Sequence, residues 1–129
     1  MVSFEDFLKT NNIDLPVGHY NVQRADMPQI DNVEDLIYVL VQNNIKYERG
    51  LCDVQNLKLT QCKIVKDKVV KIMDNYTESE IVVANGFVID GTHRFVAAYN
   101  MGLETIPCIH IDEDPIKMLG LLKDFRHED

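Results

Sequence analysis

FVIDGTHRFVAAYNMG, residues 87–102, is the stretch that decides the fold. It begins with three β-forming residues that follow an Asn-Gly turn signal at residues 85–86, a pattern typical of a short buried strand. Helical spacing of apolar residues takes over directly after Gly91, and Gly102 stands where a left-handed C-terminal cap is expected. The stretch therefore predicts a strand that turns sharply at Gly91 and runs straight into a helix.

A junction of this kind points the backbone N–H groups of the helix's first turn into the space above the strand, together with the positive end of the helix dipole. Thr92, His93 and Arg94 add a hydroxyl, an imidazole and a guanidinium to that turn. Basic side chains are unfavourable at a helix N-terminus unless an anion joins them, so the turn is a candidate phosphate site. The alternative is that Arg94 pairs with a carboxylate such as Asp90 and that His93 is an ordinary surface or capping residue.

A family resemblance rests on the same part of the chain. The residues that carry it are VIDGTHR (88–94), AA (97–98), MGL (101–103) and TIP (105–107). They resemble the signature of the ParB/sulfiredoxin superfamily, in which an Asp-Gly-His-His-Arg run precedes a small-residue helix, a glycine and an Ile-Pro strand. The resemblance is best over residues 57–111. It implies an α/β (α+β) fold, compact, with a small mixed β-sheet flanked by helices, that binds ATP, ADP or CTP with Mg²⁺.

The resemblance also implies roles for individual residues. The phosphates of the nucleotide would lie on Gly91, Thr92, His93 and Arg94. Gln61, near the end of an earlier strand, would close one side of the site.

Asp90 is the carboxylate beside this predicted site. It could bind Mg²⁺, orient His93 or act as a general base, which makes Asp90 and His93 the candidate catalytic residues. The alternative is that Asp90 only hydrogen-bonds the Gly91 turn.

Two departures from the family pattern bear on activity. Thr92 stands where relatives carry a second histidine and where sulfiredoxins carry their catalytic cysteine, so we expect no sulfinic-acid reductase activity. Lys63 follows Thr60 and Gln61 at a place where phage-type and kinase-like members tend to carry a glutamate. If Lys63 replaces that glutamate, a hydroxyl acceptor must be activated by Asp90 or another carboxylate, or is not activated.

Composition limits the remaining classes of function. With 129 residues and 46% hydrophobic content, the chain predicts one domain, residues 1–129. A formal net charge of −8 gives no general attraction to nucleic acid or anionic lipid, and the absence of an apolar run or secretion signal predicts a cytoplasmic protein.

Residues 27–30, Met-Pro-Gln-Ile, resemble a segment of phage-encoded members of the superfamily. If the chain is phage-encoded, the predicted location is the host cytoplasm. The alternative reading of that segment is a surface loop anchored in the core by Met27 and Ile30.

The three cysteines, Cys52, Cys62 and Cys108, are odd in number and irregularly spaced. They predict neither a disulfide framework nor a zinc site. Cys108 is predicted to be a small core residue, and no thiol chemistry is expected.

Local signals predict the other elements. They are a short helix from Ser3 to about residue 12, irregular chain over residues 15–30, a helix capped by Asp31 or Asn32 that stops near residue 43, strands near residues 45–51 and 59–61, a helix over residues 66–75, a hairpin over residues 81–90, a strand over residues 105–111 and a last helix after residue 114. The lysines around the 66–75 helix, Lys63, Lys66, Lys68 and Lys71, are interpreted as a solvated face rather than a nucleic-acid contact.

These observations leave three hypotheses about function. The first is an ATP-dependent kinase or nucleotide hydrolase that acts on an unknown small-molecule or protein acceptor. The second is a catalytically degenerate, nucleotide-gated adaptor that takes part in a phage–host interaction. The third, a DNA-binding or nuclease domain, is opposed by the net charge of −8.

Overall fold

The computed structural model describes residues 17–61 and 64–125. Within them the strands are β1 (Val17–Val22), β2 (Tyr47–Asp53), β3 (Lys58–Gln61), β4 (Ile81–Ala84), β5 (Phe87–Asp90) and β6 (Thr105–Ile111). The α-helices are α1 (Val33–Gln42), α2 (Lys66–Asp74), α3 (Thr92–Asn100) and α4 (Pro115–Leu121). The predicted α+β class, a mixed sheet flanked by helices, is confirmed. The helix predicted to begin at Ser3 lies outside the described residues.

The strands form one mixed sheet in the order β1-β3-β5-β4-β6-β2. β1, β3 and β5 are parallel neighbours, whereas β5 and β4 form an antiparallel hairpin and β6 pairs in parallel with β4. The carboxyl ends of β1, β3 and β5 therefore meet at one edge of the sheet. In sheets of this kind, ligands bind outside the carboxyl ends of parallel strands.

The sheet is covered on both faces. Val83 and Val88 point toward α2 and α3, and their cluster includes Val69 and Phe95. The residues next to them along the strands, such as Val82, point to the other face. They belong to a second buried cluster, which includes side chains of α1 and α4. Because successive residues of a strand point to opposite faces, the nearly continuous apolar sequence of β4 and β5 follows directly from this double burial.

The predicted hairpin and the C-terminal cap of α3 are confirmed. Asn85 and Gly86 have φ of 45° and 86°, the left-handed values that a two-residue hairpin turn requires. At the end of α3, Gly102 has φ of 70°, and the Leu103 N–H donates to the Ala98 carbonyl at 3.1 Å. This is the hydrogen bond of a Schellman motif.

Two features of the fold differ from the sequence predictions. Residues 17–22, predicted as irregular chain, form β1, whose partner is the parallel strand β3. The absence of a disulfide was also predicted, and this is wrong: Cys52 and Cys108 are joined. The spacing of the cysteines could not show this, because β2 and β6 pair across 56 residues of sequence. Cys108 is nevertheless buried in the core, as predicted.

Candidate functional site

A pocket of about 410 Å³ lies beyond the carboxyl ends of β3 and β5. All of the residues that the sequence assigned to the candidate site line it, namely Gln61, Asp90, Gly91, Thr92, His93 and Arg94. The volume falls within the range of small-molecule sites in proteins. The structure therefore brings these residues together around a single cavity, although their roles in binding and catalysis stay predictions.

The turn between β5 and α3 can be made only by glycine. Gly91 has φ of 84°, and a Cβ atom at this position would lie 2.5 Å from the Cγ2 atom of Ile81. The Gly91 carbonyl accepts the first helical hydrogen bond, from the N–H of Phe95 at 2.9 Å. Gly91 and the first-turn residues of α3 line the pocket, so the positive end of the helix dipole lies at the pocket wall.

Asp90 is a largely buried carboxylate in the pocket wall. Its Oδ2 atom accepts a hydrogen bond from the Ile30 N–H at 3.4 Å, and the Gly91 N–H also donates to the carboxylate. Burial is the dominant effect and raises the pKa of Asp90 from 3.8 to about 6, although both hydrogen bonds and the nearby Arg94 charge lower it. The ionised carboxylate is therefore retained at a cost in stability, which is a common property of functional sites.

Replacing Asp90 by asparagine is expected to stabilise the protein at neutral pH. Because the folded-state pKa is raised, the folded protein binds more protons than the unfolded chain between about pH 4 and pH 6, so wild-type stability falls as pH rises through that window. The amide that replaces the carboxylate carries no charge to desolvate. After a discount for partial exposure, we expect Asp90→Asn to add about 2 kcal/mol to the free energy of unfolding at pH 7.5 and almost nothing near pH 4.

Urea unfolding at the two pH values measures this difference. Asp112→Asn, at an exposed position outside the pocket, is the control for the change in net charge. Equal stabilisation by Asp90→Asn at both pH values would contradict the explanation by burial of charge.

His93 connects two helices. Its Nε2 atom accepts a hydrogen bond from the Val65 N–H at 3.0 Å, which satisfies a free backbone donor at the start of α2. An imidazole nitrogen that accepts is unprotonated, so the neutral ring carries its proton on Nδ1. The sequence offered helix capping as an alternative role for His93. The structure shows such a contact for Nε2, but the capped helix is α2 rather than α3.

Arg94 is one of the cationic residues that line the pocket. Its Nε atom is buried and has no hydrogen-bond partner. Among the described residues, the salt bridges are those of Arg49 with Glu80 and Lys117 with Glu113, so the predicted alternative of an Arg94–Asp90 ion pair is not observed. Buried polar groups in proteins are usually paired, so this Nε atom is an unsatisfied donor in the described part of the chain.

Sequence reasoning missed part of the site. Lys68 and Lys71 of α2 are exposed, as the predicted solvated face requires, and they also line the pocket. Met27, Ile72 and Ile89 supply an apolar wall. Met27 is 2% exposed. It is therefore a core anchor, as the sequence predicted, and at the same time a residue of the pocket wall. The signal available in the sequence was the spacing of three between the lysines, which puts both on one helix face.

The described residues contain no group of three or more His, Cys, Asp or Glu side chains placed to hold a metal ion. Mg²⁺ is commonly held by one or two carboxylates together with substrate phosphates. Asp90 therefore fits the predicted metal role only if a ligand supplies most of the coordinating oxygens. In the part of the chain that the structure describes, no helix combines the length and apolar character needed to cross a membrane.

No family model matches the chain. The uncharacterized protein MJ0188 of Methanocaldococcus jannaschii is 29% identical over 126 residues, which is 88% of this chain and 48% of that protein. The chain therefore spans about half the length of this relative.

A solved structure of a Pnob8-like ParB-N domain is similar over 57% of this chain and 32% of its own length, with a TM-score of 0.44 and 14% sequence identity. Membership of the ParB/sulfiredoxin superfamily remains a prediction from the sequence signature.

Proposed function

We propose that this protein is a nucleotide-binding domain of ParB/sulfiredoxin type that holds the phosphates of its ligand at the β5–α3 turn. The observation that carries the proposal is that Arg94 and the N-terminal turn of α3 line the same pocket. Both features favour an anion, and helix N-termini are common phosphate sites. The net charge of the chain is −8, so attraction of an anion to the pocket depends on these local groups.

The residues present fit a nucleotide. Arg94 and the first-turn N–H groups would bind phosphate oxygens, and the buried Thr92 contributes a hydroxyl to the pocket lining. Met27 and Ile72 offer an apolar surface of the kind on which a nucleobase is buried. A bound nucleotide would supply a transferable phosphoryl group.

Asp90 is the proposed acid–base residue. With a pKa of about 6 it is mostly ionised at neutral pH and can still accept a proton, which is the range in which a general base is effective. His93 has a positioning role in this proposal, because its Nε2 atom is engaged with the backbone of Val65. Phosphoryl transfer to water or to an acceptor hydroxyl is the reaction class that a phosphate site with one such carboxylate supports.

Binding is tested first, by calorimetric titration with ATP, ADP, CTP and GTP in the presence and absence of Mg²⁺. We expect one base to be preferred and Arg94→Ala to weaken its binding about 10- to 100-fold, since a hydrogen bond to a charged group contributes about 1.5–3 kcal/mol. Arg94→Lys is the matched variant, because it keeps the charge and removes the planar donor set. Unchanged affinity in Arg94→Ala would overturn the proposed site.

An assay of ATP turnover distinguishes the enzyme hypothesis from the adaptor hypothesis. Release of ADP or AMP from ATP that is lost in Asp90→Asn supports phosphotransferase or hydrolase activity. Arg94-dependent binding without turnover supports instead the nucleotide-gated adaptor, in which Thr92 and Lys63 depart from the family's catalytic pattern.

A further inference from the structure

Two lysines of the pocket wall have no role in the site described so far. Lys68 and Lys71 lie three residues apart on α2 and both line the pocket. Among the described residues neither makes a salt bridge, since the two pairs present involve other side chains. Their ammonium groups therefore add positive charge to a cavity that Arg94 already makes positive.

The packing of α2 positions the backbone of these lysines, whose side chains are exposed. Val69, between them, is completely buried, and Ile72 and Met73 pack against the same core cluster. The start of the helix is held to α3 by the hydrogen bond from the Val65 N–H to His93. The two lysine stems thus project from a backbone that is rigidly placed relative to the α3 turn.

The charges of the pocket exceed what one phosphate needs. Lys68, Lys71 and Arg94 supply three positive charges, ionised Asp90 removes one, and the α3 dipole adds about half a charge, which leaves the pocket lining at about +2.5. A single phosphate group carries about −1.5 to −2 at neutral pH, which Arg94 and the α3 dipole can already balance in part. Each further phosphoryl group adds negative charge that the two lysines are placed to neutralise.

We propose that Lys68 and Lys71 bind the phosphoryl groups beyond the first, so that the pocket selects nucleoside diphosphates and triphosphates over monophosphates. This inference rests on the proposed function. In this inference the lysines of α2 distinguish ligands by their number of phosphates. Arg94 and the α3 turn bind the phosphate that monophosphates, diphosphates and triphosphates have in common.

The test is calorimetric titration of AMP, ADP and ATP against the full chain and a Lys68→Ala/Lys71→Ala variant. For the wild type we expect affinity to rise with phosphate number. In the double variant we expect ADP and ATP to lose about tenfold or more, while AMP stays within about twofold. The control is Lys58→Ala/Lys123→Ala, which removes the same charge from exposed positions outside the pocket, and circular dichroism verifies the fold of each variant.

The outcomes separate the inference from the function on which it rests. Unchanged ATP affinity in the double variant, or an equal loss for AMP, ADP and ATP, would overturn the role of the lysines and leave a nucleotide site at Arg94. An equal loss in the control variant would also overturn it, because the effect would then come from net charge. Failure of the wild type to bind any nucleotide would remove the proposed function and the inference together.

Discussion

Gly91→Ala is expected to destabilise the fold by about 4 kcal/mol, a large part of the stability of a typical domain. Two costs add at this residue. Alanine in the left-handed region costs about 1–2 kcal/mol, and Gly91 has φ of 84°. The new Cβ would also lie 2.5 Å from Ile81 Cγ2 and 3.0 Å from Ile81 Cβ, and overpacking of a core costs about 1–3 kcal/mol.

Gly102→Ala is the matched control, because it isolates the backbone cost. Gly102 has φ of 70°, but a Cβ atom there would meet nothing within 4 Å. We expect a loss of only about 1–2 kcal/mol. Both variants are measured by urea unfolding followed by circular dichroism, with the midpoint compared at constant slope. Equal losses in the two variants would contradict the steric role of Ile81 and leave backbone conformation as the whole explanation.

This glycine also shows what the sequence could predict. Three features depend on local sequence: the hairpin at residues 85–86, the turn at Gly91 and the cap at Gly102. Each is determined by residues within a few positions of itself. Asn32 likewise caps α1 by accepting a hydrogen bond from the Glu34 N–H at 2.9 Å, as one of the two predicted caps. Signals of this kind are legible because conformational preference and local hydrogen bonding decide them.

Other parts of the fold depend on distant residues and were not predictable in the same way. β1 is a strand because it pairs in parallel with β3, about 40 residues away along the chain. Its own sequence, with a preceding proline and Gly18, favours irregular chain. Pairing between strands distant in sequence overrode the local preference.

The candidate site shows the same difference between local signals and contacts of residues distant in sequence. The residues of the β5–α3 turn were predicted because one contiguous motif contains them. Lys68 and Lys71 were not, since their place in the pocket lining depends on how α2 packs against α3. The hydrogen bond from Val65 to His93, which helps to fix that packing, joins residues 28 apart in sequence.

Loss of the Cys52–Cys108 disulfide is expected to destabilise the protein by about 4 kcal/mol. The bond closes a loop with a sequence separation of 56, and the chain-entropy relation gives about this value at 25 °C for a loop of that length. Cys108 is 1% exposed, so Cys52→Ala is the better variant because it leaves the buried side chain in place. Urea unfolding of the wild type and of Cys52→Ala, each with and without dithiothreitol, measures the effect.

Reductant is the internal control for this prediction. It should lower the stability of the wild type to that of Cys52→Ala and leave the variant unchanged. If the wild type does not respond to complete reduction, verified by thiol titration of the unfolded chain, then the bond contributes no stability and the pairing of β2 with β6 is sufficient by itself.

The disulfide also bears on the cytoplasmic location that the sequence predicted. Most cytosolic proteins keep their thiols reduced, and protein disulfides persist mainly in oxidising compartments. In a reducing compartment β2, an edge strand, would be held by its ladder with β6 and by the Arg49–Glu80 salt bridge. That salt bridge is solvent-exposed, so it contributes little to stability. The stability of this edge of the sheet is therefore expected to follow the redox state of the compartment, whereas the pocket lies beyond β3 and β5, on strands that the bond does not join.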